Sequence, residues 1–259
     1  MLSTYNMTFL QNIFGKFLGR SLDKKGSKCL IKYGRKISIV INLSYICKME
    51  PKEKPDPSVV QCEKSIARAL KTSPFIRLMI AGLEEAGCDI IPHRHLVCEP
   101  GCSPEVSGGF DQNTNQVVIC SNICQTQSKV EEILAHELVH LYDYCTINLD
   151  LTKSEHLACT EIRAANLAHC KNQFFDALSQ QKWKSHTDCV KHKAASSVKV
   201  IKGISHQEAI KIVEKVFQKC YTDLEPIGRI TMDKYDTCRA FSDYKHFSRL
   251  LSDIKTTKR

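Results

Sequence analysis

The stretch 134-LAHELVHLYDYC-145 decides how the rest of this chain is read. His136 and His140 stand four apart, and Glu137 directly follows the first histidine. In an α-helix, positions i and i+4 stack on one face about one turn apart. The two imidazoles can therefore grip one metal ion. Glu137 sits one position round the helix, where its carboxylate reaches an activated water without ligating the metal. Two imidazoles, an activated water and a general base are what a zinc peptidase needs. The five-residue pattern by itself also arises by chance, and the plain alternative is a surface helix that carries two histidines.

The flanking residues favour the metal reading. Ser128 and Glu131 have capping-box spacing and predict a helix that starts just before the motif. Val130, Leu134, Leu138, Leu141 and Cys145 form a stripe roughly opposite the histidines, so the stripe can bury while the histidine face lines a cleft. A catalytic zinc keeps three protein ligands and one open position. Three residues can supply the third ligand. Glu161, in 158-ACTEIRAAN-166, lies 21 residues past His140 on a second expected helix. Asp143 shares a face with His140 and could ligate, or orient a histidine from behind. His156 opens the second helix. Glu161 is preferred, because His, His, Glu is a known catalytic shell; its plain alternative is a salt bridge, for example with Arg163.

Outward from the motif, the chain reads as helix, hairpin, helix, helix, helix. Ile66, Ala69 and Leu70 repeat at helix spacing up to a break at Ser73-Pro74. Phe75, Leu78, Met79 and Leu83 continue in a second helix stopped by Gly87. The segment 92-PHRHLVCEPGCSPE-105 reads as a loop with three prolines. The segments 105-EVSGGFD-111 and 115-NQVVICSN-122 read as strands joined by a polar turn. A strand beside a zinc helix can offer its free edge to an extended substrate, and Gly108-Gly109 would allow close backbone approach. The plain alternative is that these glycines only shape a turn. Thr152 with Glu155 and Ser205 with Glu208 repeat the capping-box signature before two further helices.

The fold class expected is α+β, a zincin-like metalloprotease domain with a small antiparallel hairpin or sheet, an active-site helix and following helices. Residues 59–250 form that domain. Residues 1–58 form a basic N-terminal extension and a Pro-rich linker. The first 48 residues hold a single acid, Asp23, and suit either a targeting segment or a non-structural extension.

Of 259 residues, 42% are hydrophobic and 25% charged, a globular balance that can bury a real core. The net charge of +9 is spread along the chain without a basic run, and no nucleic-acid module motif accompanies it, so direct nucleic-acid binding is not expected. Fourteen cysteines are many for this length. Cys98 with Cys102 and Cys120 with Cys124 have C-x-x-x-C spacing, whereas zinc ribbons more often use C-x-x-C. The scattered, even count favours disulfides over a structural metal cage, with the pairing left open.

The blocks GGFD, ICSN, LAHELVHLYD, ACTEIRAAN and 216-VFQKCYTDLEPIGRI-230 stand in the order and spacing of one family. Across about residues 60–245 the chain resembles the mitochondrial ATP synthase assembly metalloproteases, described in animals as Ku-binding proteins. The resemblance implies a zinc endopeptidase of the intermembrane space, associated peripherally with the inner membrane. It implies processing of the precursor of a membrane-embedded ATP synthase subunit, help in assembling the membrane sector independently of proteolysis, and cysteines joined as disulfides. It carries His136 and His140 over as ligands of one Zn²⁺ and Glu137 as the catalytic glutamate. Glu161 stays an inference from helix geometry. The alternative is a non-catalytic assembly chaperone or partner-binding adaptor that retains the metal helix. The chain departs from the family after EIRAAN, where it reads LAHC in place of an expected glycine-containing turn.

Overall fold

Helix α1 (Pro57–Thr72) begins where Asp56 accepts the backbone N–H of Ser58 at 2.8 Å, with proline in the first turn. It takes Pro57 and Ser58 from the stretch read as linker. The computed structural model describes residues 56–147, 149–170, 175–176, 181–182 and 184–256; the basic extension and most of the linker lie outside them. Pro74 holds Ser73 extended, which ends α1 and starts α2 (Pro74–Glu85). Gly87, at φ +81°, supplies the left-handed residue after α2.

The segment expected to be a loop forms a single helical turn, α3 (Pro92–His95), and a strand, β1 (Leu96–Glu99). The expected hairpin is present as β2 (Gly108–Asp111) and β3 (Gln116–Cys120). Its turn is tied by Asp111, which accepts from the Asn113 backbone N–H at 3.0 Å and the Thr114 hydroxyl at 2.7 Å. The sheet is mixed, with order β1-β3-β2. β1 runs parallel to β3 from Leu96↔Val117 to Glu99↔Cys120, and β2 runs antiparallel from Gly108↔Ile119 to Asp111↔Gln116. Sequence reading missed β1 because four residues between prolines are too short to show alternation. The unbroken apolar run of β3 is what a central strand carries.

The metal-motif helix is α4 (Gln127–Thr146). Its cap is Thr126, which accepts from Lys129 N–H at 3.2 Å, and not the expected Ser128. Gln127 engages Glu131 at 2.7 Å, so that carboxylate is not free to reach back and close the box. The second expected box also fails. α5 (Ser154–Ala164) has no side-chain cap, because Thr152 is bound into a turn on Asp150. The third forms as read, with Ser205 and Glu208 capping each other at the start of α7 (His206–Tyr221). Helix α6 (His186–Lys202) precedes it, and α8 (Lys234–Thr256) packs back on α2.

Two cores share α5 as a wall. Helices α1, α2 and α4 cover the sheet around Ile76, Met79, Leu83, Ile119, Leu134 and Leu138. The other face of α5 packs with α6 and α7 around Leu157, Ile162, Val190, Val198 and Val213. Among the described residues, five disulfides join these elements and the segments between them: Cys62–Cys98, Cys88–Cys145 and Cys102–Cys120 around the first core, Cys159–Cys220 and Cys170–Cys189 around the second. Cys98 and Cys102 thus bond to different partners, and neither C-x-x-x-C pair acts as a unit. Cys124 is a buried free thiol, pushed up to about 11 by burial.

Gly108 sets how closely β2 lies on α4. A Cβ there would fall 2.5 Å from Ile133 Cγ2 and 2.8 Å from the Val118 carbonyl oxygen. The carbonyl is backbone and cannot step aside cheaply. Gly108→Ala is expected to cost about 1–3 kcal/mol, read as a lowered denaturation midpoint, whereas Gly109→Ala, with open space beside it, is expected to stay near wild type.

Candidate metal centre

Helix α4 turns His136 and His140 toward α5, which presents Glu161 two residues past its centre. The ligand atoms of these three residues lie within 4.8 Å of one another. His136 Nε2 and His140 Nε2 are 3.0 Å apart, and the two Glu161 oxygens stand 3.6 and 3.5 Å from them. Asp143 does not face this cluster. It accepts from the Thr160 hydroxyl at 2.7 Å and from Arg163 Nε at 2.9 Å. His156 is engaged elsewhere, accepting the Asp150 backbone N–H at 3.2 Å.

Hydrogen-bond logic assigns the lone pair of His140. Thr160 spends its only proton on Asp143, so at 2.8 Å from His140 Nδ1 it must accept. Nδ1 then carries the proton and Nε2 the lone pair. That lone pair points at His136 Nε2. At 3.0 Å it either accepts from His136 Nε2–H or shares with His136 Nε2 a cation that takes a lone pair from each. Glu161 Oε2 is buried and has no hydrogen-bond partner, which a native interior rarely tolerates. Ligands about 2.0–2.1 Å from a tetrahedral zinc lie about 3.3 Å apart, close to the spacings found. The residues present fit a metal ion.

Electrostatics agree. Burial drives His136 well below its usual range, helped by His140 and His169 nearby. Burial, then His169, takes His140 down to about 4. A bridging proton is therefore disfavoured. Burial pushes Glu161 up to about 7 against a hydroxyl from Ser197, and burial plus the Glu161 charge pushes Glu137 well above the carboxylate range. A divalent cation answers both sets of shifts, since it accepts imidazole lone pairs and draws neighbouring carboxylates back toward ionisation. Asp143 rises to about 6 by burial, against the opposing charge and hydrogen bonds of Arg163 and Thr160.

Sequence reading did not anticipate Thr160, the Arg163 contact, His169 or Glu132. His136 Nδ1 meets His169 Nε2 at 2.8 Å, and His169 Nδ1 meets Glu132 Oε1 at 3.0 Å. Burial works against the Glu132 charge, yet the hydrogen bond and charge of His169, with Lys129, hold it down at about 2. Thr160 and Arg163 stand on either side of Glu161 in the ACTEIRAAN block and were visible as residues, but not as partners of α4.

A buried helix that brings two imidazole Nε2 atoms to a carboxylate from the next helix, with a second carboxylate alongside, is what metallopeptidases of the H-E-x-x-H class are built on. The sequence model of the peptidase M76 family matches residues 60–228. The chain belongs to that family and is a metallopeptidase. Among its relatives is the "Mitochondrial inner membrane protease ATP23 homolog" of Homo sapiens, 36% identical over 198 residues, 75% of this chain and 80% of that protein. The protein of the same name from Danio rerio is 35% identical over 199 residues, 75% and 77% of the two chains. "Mitochondrial inner membrane protease atp23" of Aspergillus niger is 33% identical over 175 residues, 66% and 73%. No solved structure matches the chain.

Proposed function

We propose that this protein is a zinc-dependent metalloendopeptidase of the mitochondrial intermembrane space, acting at the inner membrane. Its substrate is the precursor of a membrane-embedded ATP synthase subunit, and it also assists assembly of that sector. The observation that carries the reading is the convergence of His136, His140 and Glu161, whose Oε2 has no hydrogen-bond partner, beside Glu137. The names of the relatives support the organelle and the membrane, and five disulfides suit an oxidising compartment. No helix among the described residues is long and apolar enough to cross a membrane. Residues 59–250 are taken as the metallopeptidase domain, with His136, His140 and Glu161 as ligands and Glu137 as the base.

A zinc ion held by His136, His140 and Glu161 would supply Lewis acidity to the scissile carbonyl and acidify the attacking water. Glu137 accepts the proton of that water on a carboxylate oxygen and passes it to the nitrogen of the leaving amine. Thr160 and Asp143 hold His140 with Nε2 toward the ligand cluster. β2 is the outer strand of the sheet, beside α4. An extended substrate can add to its free edge as a further strand, with Gly109 leaving room for its backbone.

Metal content tests the ligand set. His136→Ala, His140→Ala and Glu161→Ala are expected to lose bound zinc in a chelator competition, while Asp143→Ala keeps a weakened site, about 10–100-fold lower in affinity. Stoichiometric, tightly held zinc in Glu161→Ala would remove Glu161 from the shell. Cleavage of the purified subunit precursor, lost on chelation and regained with zinc, tests the activity; a precursor left intact by the zinc-loaded protein would count against it.

A further inference from the structure

His140 is oriented by a carboxylate acting through an intermediary, the chain Asp143–Thr160–His140. His136 has a counterpart built from different residues. Glu132 lies one turn before His136 on α4, so the two share a face. His169 comes from the turn that continues α5, across the gap, with only 13% of its side chain exposed. Its ring centre lies 4.6 Å from that of His136.

The backbone is built to deliver His169 there. After Ala164 the helix widens into a π-turn, Ala165–His169, closed by the Cys170 N–H on the Ala165 carbonyl at 2.9 Å. A π-turn inserts one residue and so rotates the residues after it by about a third of a turn relative to an unbroken α-helix. The next residue, Cys170, is bonded to Cys189 on α6. His169 is therefore held between the wide turn and a disulfide. It stands in the LAHC segment, where the chain departs from the glycine-containing turn expected of its family.

We propose that His169, backed by Glu132, is a positioning residue that holds His136 in its metal-ligating tautomer and orientation. The argument is donor arithmetic. The Glu132 carboxylate only accepts, so His169 Nδ1 carries the proton at their 3.0 Å contact. With His136 ligating through Nε2, its Nδ1 carries the proton, and at 2.8 Å His169 Nε2 is the acceptor. His136 is left with its lone pair on Nε2, 3.0 Å from His140 Nε2 and 3.6 Å from Glu161. Each histidine of the cluster thus has its outer nitrogen protonated and its inner one free. An imidazole that ligates a metal generally donates its other N–H to such a partner, and losing that partner weakens binding about 10–100-fold.

The proposal rests on His136 being a ligand, and the experiment separates the two ideas. The first measurement needs no variant. In the full-length, zinc-loaded protein with ¹⁵N-labelled histidine, a nitrogen–nitrogen coupling across the hydrogen bond is expected between His136 Nδ1 and His169 Nε2. The second is zinc affinity by chelator competition. His169→Phe keeps a ring of similar shape without an acceptor and is expected to bind zinc about 10–100-fold more weakly. His169→Gln places an acceptor near the old Nε2 and is expected to recover most of that loss. A merely structural role for His169 would not make Gln better than Phe. Absence of the coupling, equal affinity of wild type and His169→Phe, or no recovery in His169→Gln overturns the proposal. Tight zinc binding by His136→Ala would instead overturn the ligand assignment beneath it.

Discussion

Glu137→Gln protein is expected to bind as much zinc as wild type and to cleave its substrate about 10²–10⁴-fold more slowly. Glutamine has nearly the shape of glutamate but cannot take a proton from water. Glu137 lies outside the His136, His140, Glu161 cluster, so the metal should stay. Its side chain is buried beside Gly108 of β2 and feels the Glu161 charge, which places it between the ligand set and the strand edge. Single-turnover cleavage rates with metal analysis on the same samples check both halves. A wild-type rate in the variant would remove Glu137 from the mechanism. The same variant expressed in cells that lack the protein separates two duties, because restored ATP synthase assembly without processing assigns assembly to the folded protein and cleavage to Glu137.

Arg163→Met is expected to destabilise the fold by about 3–5 kcal/mol. Arg163 is 3% exposed, and its donors reach the Asp143 carboxylate at 2.9 Å and the carbonyls of Asp223 and Glu225 at 2.8 and 2.6 Å. It also pairs with the Asp223 carboxylate. One guanidinium therefore ties the metal helix, α5 and the segment after α7. Without it, Asp143 is left as a buried charge with no counter-ion. That cost, more than the lost attraction, dominates. Adding Asp143→Asn to Arg163→Met should recover part of the loss, because the stranded charge is gone. Urea midpoints measured with the disulfides intact decide the matter. A loss below about 1 kcal/mol, the range of exposed pairs, would show that the contact carries little.

The metal helix was legible because its information is local. A spacing of four on a helix places His136 and His140 together whatever the rest of the chain does, and the opposite stripe of Val130, Leu134 and Leu138 announces which side is buried. The hairpin and the Ser205–Glu208 box were legible for the same reason. The other two boxes misled because capping depends on which donors and acceptors nearby groups have already taken: Gln127 occupies Glu131, and Asp150 occupies Thr152. β1 was hidden because a short edge strand is defined by its partner, here the parallel β3, and not by its own pattern.

From the residues alone came the mixed α and β class, the helix that bears the motif, a candidate general base, and a short set of candidates for the third ligand. The choice among those candidates belongs to the tertiary structure. Asp143, His156 and Glu161 are all chemically able to bind metal, and only the packing of α5 on α4 turns Asp143 to Arg163 and Thr160 while leaving a Glu161 oxygen unpartnered at the imidazoles. The same holds for the groups behind the histidines. Thr160 and His169 lie 20 and 33 residues from the imidazoles they touch. Helical periodicity determines which side chains share a face, but which face meets which is decided by burying two apolar cores against a common wall.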